Sequence, residues 1–168
     1  MGSEFEETGV LPSGRFSGRV AFTQLVRDAL ACAARDGWRE LVLCDATFED
    51  WPLHERVVAE SLGAWARSGR RFVMVAAHYD CVMRQHARFV TWRRTWGHII
   101  ECRQSRNTDP TDFPSALLGP AWVMQRLDLA HSTGVSSDRP DRRVPLRETV
   151  DELLLGSSPG FAASVLGL

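Results

Sequence analysis

Apolar residues recur at helical spacing from Val20 to about Arg35, where Phe22, Leu25, Val26, Ala29, Leu30 and Ala33 fall on one stripe. Gly37 supplies a stop. From Trp38 to Ala46 the pattern changes to a short continuous run, WRELVLCDA, which predicts a strand buried on both faces. Thr47 to Pro52 reads as a corner, with Asp50 as a helix N-cap and Pro52 in the first turn. A second helix follows to about Arg67, its stripe made by Leu53, Val57, Val58, Leu62 and Trp65, and Ser68-Gly69 ends it. Phe72–Ala77 is a second buried strand. His78 opens a helix to about Trp96, Gly97 stops it, and His98–Arg103 is a third strand. Gln104–Pro114 reads as a loop and Ala121–Leu129 as a fourth strand. Ser132–Arg143 reads as an exposed, turn-rich connection before a last helix over Pro145–Leu155.

This alternation predicts an α/β fold, a single three-layer sandwich whose mostly parallel sheet of four or more strands lies between helices. Residues 1–15 read as a flexible N-terminus, and Met1-Gly2-Ser3-Glu4-Phe5 has the form of a vector-derived leader. Residues 16–156 form the domain. Residues 157–168 read as an apolar tail that docks on the core or on a partner, a second copy of this chain being one candidate.

Composition narrows the chemistry. All 20 basic residues counted as lysine or arginine are arginine. That excludes a Walker lysine, a Schiff base, a kinase phosphate lysine and a Ser-Lys dyad. Cys32, Cys44, Cys81 and Cys102 lie far apart without a Cys-x-x-Cys pair, as reduced thiols of a cytoplasmic protein do, with Cys81 the least apolar of them. No uncharged apolar run approaches the length of a membrane span. His54, His78, His86, His98 and His131 lack metal-ligand spacing, so no metal and no cofactor is expected. The net charge of −1 hides an uneven distribution. Acidic residues dominate from Asp36 to Glu60 and arginines from Arg67 to Arg106, as on a dipolar surface whose basic side attracts an anionic partner.

Two places carry candidate chemistry. The first is the carboxyl edge of the strands, where ligands of open α/β sheets bind. There Asp45 or His78 would serve as a base, Arg103 as an anion clamp and His131 as a second acid–base group of a small phosphoester or acyl hydrolase. Alternatively, Asp45, Asp50 and Asp80 cap helices or bond turn amides. The second is Arg84–His98, where Arg88, Trp92 and Trp96 share a helical row and Arg93 and Arg94 flank it. Such residues form either a stacking and cation–π platform for a nucleobase, phosphate or acidic peptide, or core aromatics with arginines laid over them. Gly156-Ser157-Ser158-Pro159-Gly160 matches a nucleophile-elbow string, but it follows a helix, and Pro159 has no N–H for an oxyanion hole.

The helix–strand opening, LVLCDATFEDWPL leading into a helix, Gly69-Arg70-Arg71-FVMVAA and HIIECR resemble one half of the phospholipase D-like fold over roughly residues 18–131. Members of that family carry His-x-Lys-x-x-x-x-Asp with the histidine as nucleophile. The nearest match here is His131-Ser132-Thr133 with Asp138, threonine standing at the lysine position. The resemblance therefore implies a related fold, paired as a dimer, with a retired active site. The expectation is a non-catalytic domain that binds an anionic ligand, nucleic acid or an acidic protein surface through Arg88, Trp92, Arg93, Arg94 and Trp96.

Overall fold

The computed structural model describes residues 10–161. Its strands are β1 (Gly14–Phe16), β2 (Glu40–Cys44), β3 (Arg71–Ala76), β4 (Ile100–Gln104), β5 (Ser115–Leu118), β6 (Val123–Asp128), β7 (Thr133–Ser137) and β8 (Ser158–Pro159). Its helices are α1 (Arg19–Asp36), α2 (Arg56–Ala66), α3 (Asp80–Gln85), α4 (Ala87–Thr95) and α5 (Pro140–Leu155). The strands form one sheet in the order β1-β7-β6-β5-β2-β3-β4-β8.

The sheet is mostly antiparallel, which corrects the expectation of a mostly parallel one. Only β2–β3 and β3–β4 pair parallel. The β1–β7, β2–β5, β4–β8, β5–β6 and β6–β7 pairs are antiparallel. The reason lies in β5 and β7, whose sequences resemble loop and turn. SALL is too short to show a period and TGVSS is small and polar, yet they complete hairpins on either side of β6. The four strands expected from sequence nonetheless run in one direction. β6 is antiparallel to β5, which is antiparallel to β2, so β6 points the same way as β2, β3 and β4.

Helices cover both faces. On one, α1, α2 and α4 bury Phe22, Leu30, Leu62, Trp65, Phe89 and Trp92 against Leu41, Leu43, Phe72 and Met74. On the other, Leu146 and Val150 of α5 pack on Val42, Val73, Val75, Ala116 and Leu118. Alternate residues of β2 and β3 thus serve opposite cores, which is why these strands read as continuous apolar runs.

Three helix boundaries differ from expectation. The second helix begins at Arg56 because Trp51, Pro52 and Leu53 are drawn into the core as a turn. The helix expected over 78–96 breaks at His86, which is buried and bonds the Phe48 carbonyl through Nε2 at 2.8 Å. The last helix starts five residues early at Pro140 and keeps Pro145 inside it, where that residue has no N–H for the Asp141 carbonyl. Of the N-terminal segment, residues 1–9 lie outside the described residues. Leu11 packs on the core, and Pro12 accepts bonds from Trp122 Nε1 and Ser136 Oγ.

Gly134 in β7 faces Gln125 O at 2.0 Å from where a Cβ would stand, with Phe16 and the Arg126 backbone also within 3 Å. Gly63 in α2 has open space around it. Gly134→Ala should therefore lower stability by about 2 kcal/mol or more, and Gly63→Ala should raise it by about 0.5–1 kcal/mol. Urea midpoints of the two variants check both signs.

Candidate functional site

The carboxyl edge of β2 is organised by an arginine inside the sheet. Arg126 on β6 turns to the α1 face with Met124, and its side chain is 3% exposed. Its Nη2 meets Asp45 Oδ1 and its Nη1 meets Asp50 Oδ2, each at 3.1 Å. Nε donates to Ser115 Oγ at 3.0 Å on the neighbouring β5. The guanidinium lies 4.2 Å from the centre of the Phe22 ring, a cation–π interaction. Arg19 closes the array by pairing with Asp50.

Asp45 has a second task. Its Oδ2 accepts the amides of Thr47 at 3.1 Å and Phe48 at 2.7 Å. Those bonds hold Phe48 at φ 60°, a left-handed conformation that a phenylalanine rarely adopts. The Phe48 carbonyl then receives the Nε2 hydrogen of His86. A carbonyl only accepts, so Nε2 carries the proton and Nδ1 is a lone pair, buried without a partner. His54 stacks on His86 at 5.6 Å. Burial, with His54 beside it, holds His86 below its ordinary pKa.

At this edge both aspartates nearest the end of β2 are engaged by arginines. Asp45 is committed to Arg126 and to two amides, and Asp50 to Arg126 and Arg19. His78 is exposed, and its amide bonds Ala46 O. Arg103 is turned to Ser157, with Nε 2.9 Å from Ser157 Oγ. His131 is exposed and its Nδ1 lies 2.9 Å from Asp128 Oδ2. The strands that precede His78 and His131 are three positions apart in the sheet, roughly 14 Å at 4.8 Å per strand. The hydrolase reading needs these two histidines in one pocket. Arg126, which organises this edge, is signalled only faintly in the sequence: it is a lone arginine in the apolar run AWVMQRLDL, matched by Asp45 in LVLCDA.

The Arg/Trp segment divides into three. Arg88 lies at the start of α4, where Nη1 bonds the His54 carbonyl at 2.8 Å. Trp92 and Arg93 are buried: Trp92 packs on Trp65 and Phe72, and Arg93 bonds Ile100 O and Phe161 O. Those two residues therefore do not present a stacking platform to solvent. Arg94 is exposed, and half-buried Trp96 lies 6.0 Å from the His98 ring.

Arg94 belongs instead to the opposite edge, where β2, β3 and β4 begin. Trp65 Nε1 donates to Trp38 O at 2.7 Å, and the Arg39 carbonyl accepts the amides of Arg70 and Arg71. Gly69 lies flat on Trp65, where a Cβ would come within 2.4 Å of the ring. This aromatic floor sets Arg39, Arg67 and Arg70 beside one another, with Arg94 one helix away. All four are exposed, and none has an ion-pair partner among the described residues. Their charged neighbours are neutralised: Arg35 pairs with Asp36, Arg71 with Glu40 and Glu101, and Arg147 with Glu40. The edge thus carries a concentrated positive charge while the domain as a whole is near neutral.

Cys81 is buried, and desolvation raises its pKa; Cys102 is pushed up to about 11 by burial. Among the described residues no three His, Cys, Asp or Glu side chains come together as metal ligands, and no helix is long and apolar enough to cross a membrane.

No family model and no curated protein matches the chain. Among solved structures, the chain is similar to TrmBL2, an archaeal chromatin protein whose structure shows a novel mode of DNA binding. The TM-score is 0.66 at 17% identity, over 94% of this chain. The chain matches 58% of the length of the TrmBL2 chain, and at this identity the likeness is one of fold.

Replacing Arg126 by methionine leaves Asp45 buried without its cation and should destabilise the domain by about 3–5 kcal/mol in denaturant unfolding. Because His86 binds a proton more weakly folded than unfolded, stability is fully present above its ordinary value of 6.5 and falls as pH drops below it. His86→Phe should remove that limb of the stability–pH curve while leaving the carboxylate limb at lower pH.

Proposed function

We propose that this chain is a non-catalytic α/β domain that binds a phosphate-bearing partner, nucleic acid foremost, across the edge where β2, β3 and β4 begin. The observation that carries this reading is the set Arg39, Arg67, Arg70 and Arg94, exposed and without carboxylate partners among the described residues, on a floor of Trp38 and Trp65. Guanidinium groups grip phosphate oxygens with two parallel N–H bonds. From β2 to β4 the edge spans roughly 10 Å, a length over which each strand of a DNA duplex carries about three phosphates. Trp96 and His98 beside Arg94 offer ring surface for an unstacked base.

The DNA binding of TrmBL2 supports nucleic acid over an acidic protein surface as the partner. The commitment of Asp45 and Asp50 to arginines at the opposite edge supports binding without chemistry. In this reading His131, Thr133 and Asp138 are the remnant of a phospholipase D-like motif. Thr133 opens β7, and Asp138 accepts a bond from Ser13 Oγ at 3.4 Å.

Neutralising Arg39, Arg70 and Arg94 together to glutamine should weaken binding of a labelled duplex in fluorescence anisotropy. The slope of log affinity against log salt should fall by roughly three, one for each arginine–phosphate pair removed. Arg84→Gln, on α3 near the opposite edge, should change neither quantity. An unaltered slope in the triple variant would sink the assignment.

A further inference from the structure

The outer edge of β4 is occupied by the chain's own C-terminal segment, and the fit is specific. Ser158 and Pro159 pair antiparallel with Gln104 and Arg103, and the Gly160 amide donates to Cys102 O at 3.1 Å. Arg103 holds the entry to this strand through Ser157 Oγ and Ser157 O, at 2.9 and 2.6 Å. Gly160 passes so close to β4 that a Cβ would stand 2.7 Å from Gln104 Cβ and 2.9 Å from Tyr79 Cε2. Phe161 then stacks on Tyr79, ring centres 5.3 Å apart and 21° from parallel. Tyr79 is itself fixed by donating to Arg103 O at 2.8 Å.

The slot requires an occupant. Arg93 is buried, with Nη1 on Ile100 O at 3.1 Å and Nη2 on Phe161 O at 2.9 Å, and its Nε is already without a partner. Removing the strand leaves a buried guanidinium with one carbonyl instead of two, and an unpaired sheet edge. Yet the strand's ladder covers only two residues, and β8 is exposed along its length. A slot that must be filled, held by a short strand, favours exchange between copies.

We propose that the β4 edge, with Tyr79, Arg93 and Arg103, is a strand-exchange site that takes the Ser157–Phe161 segment of a second copy of this chain in place of its own. Recognition is by main-chain pairing, by the absence of a side chain at position 160 and by the ring at 161, as in β-strand addition. The strand enters beyond Gly156, which already lies outside α5, so exchange breaks the bonds of the Ser157 amide and Oγ to Leu154 O but none within the helix.

Complementation tests it on the full chain. Gly160→Val carries an intact slot and a strand that cannot seat. Arg93→Gln carries an intact strand and a disabled slot. An equimolar mixture should give a one-to-one dimer by light scattering, with each variant monomeric alone. A mixture that stays monomeric overturns the proposal. A second measurement does not depend on Arg93→Gln folding. A labelled peptide of residues 155–161 should bind the Gly160→Val chain about tenfold or more tightly than the same peptide carrying Phe161→Ala. Equal affinity of the two peptides also overturns the proposal. So does absence of binding to a Gly160→Val chain that keeps its melting transition.

Discussion

A guanidinium buried between two carboxylates is the constraint on which the rest of this domain depends. Arg126 comes from a strand that hairpins outward from the parallel core, while Asp45 and Asp50 come from the end of β2 and the loop beyond it. Their pairing ties the antiparallel half of the sheet to the parallel half. It also explains the backbone of the β2 loop, since Asp45 holds Phe48 left-handed and Phe48 in turn receives His86. A buried pair of this kind contributes little net stability against an apolar substitute, but breaking it on one side is expensive. Its effect is to fix one arrangement of loop, strand and helix junction.

The same pairing divides the domain into two ends of different character. At the carboxyl edge the charges are matched inward: Arg126 and Arg19 absorb Asp45 and Asp50, and Arg27 absorbs Glu55. At the amino edge the aromatic floor of Trp38, Trp65 and Trp92 lifts arginines to the surface without acids to meet them. A chain with net charge −1 can therefore still present one strongly cationic end. Electrostatic steering depends on such local fields more than on the total charge. Arginine is the only permanent cation available, since the chain has no lysine, and it is also the residue best shaped for phosphate.

Much of the fold is legible in the sequence because burial on two faces leaves a continuous apolar run. That signal locates β2, β3, β4 and β6; the alternation with helices accounts for the common direction of β2, β3 and β4, whereas the direction of β6 comes from its two antiparallel steps through β5. β7 escapes that signal because Ser136 and Ser137 are buried serines in a stretch that reads as a turn, and β5 because its apolar run is only three residues long after Ser115. Asp45 stands out at the end of its apolar run, but its partner is 81 residues away, a separation that no local pattern spans. Arg93 misleads for a similar reason. A helical arginine beside a second arginine looks solvated, and the carbonyl that draws it inward belongs to Phe161. The dipolar charge distribution is visible in the chain, whereas the neutralisation of Arg71 by Glu40 and Glu101 emerges only once β2, β3 and β4 are aligned.

The claim at the centre is that a nucleic-acid backbone lies across the edge where β2, β3 and β4 begin. Chemical-shift mapping of the isotope-labelled protein during titration with a short DNA duplex addresses it most directly. The largest perturbations should fall on Arg39, Arg67, Arg70, Arg94, Trp96 and His98, and they should collapse as salt is raised. Perturbations confined to the opposite edge, around Glu49, Asp50 and His54, or none at any salt concentration, would contradict it.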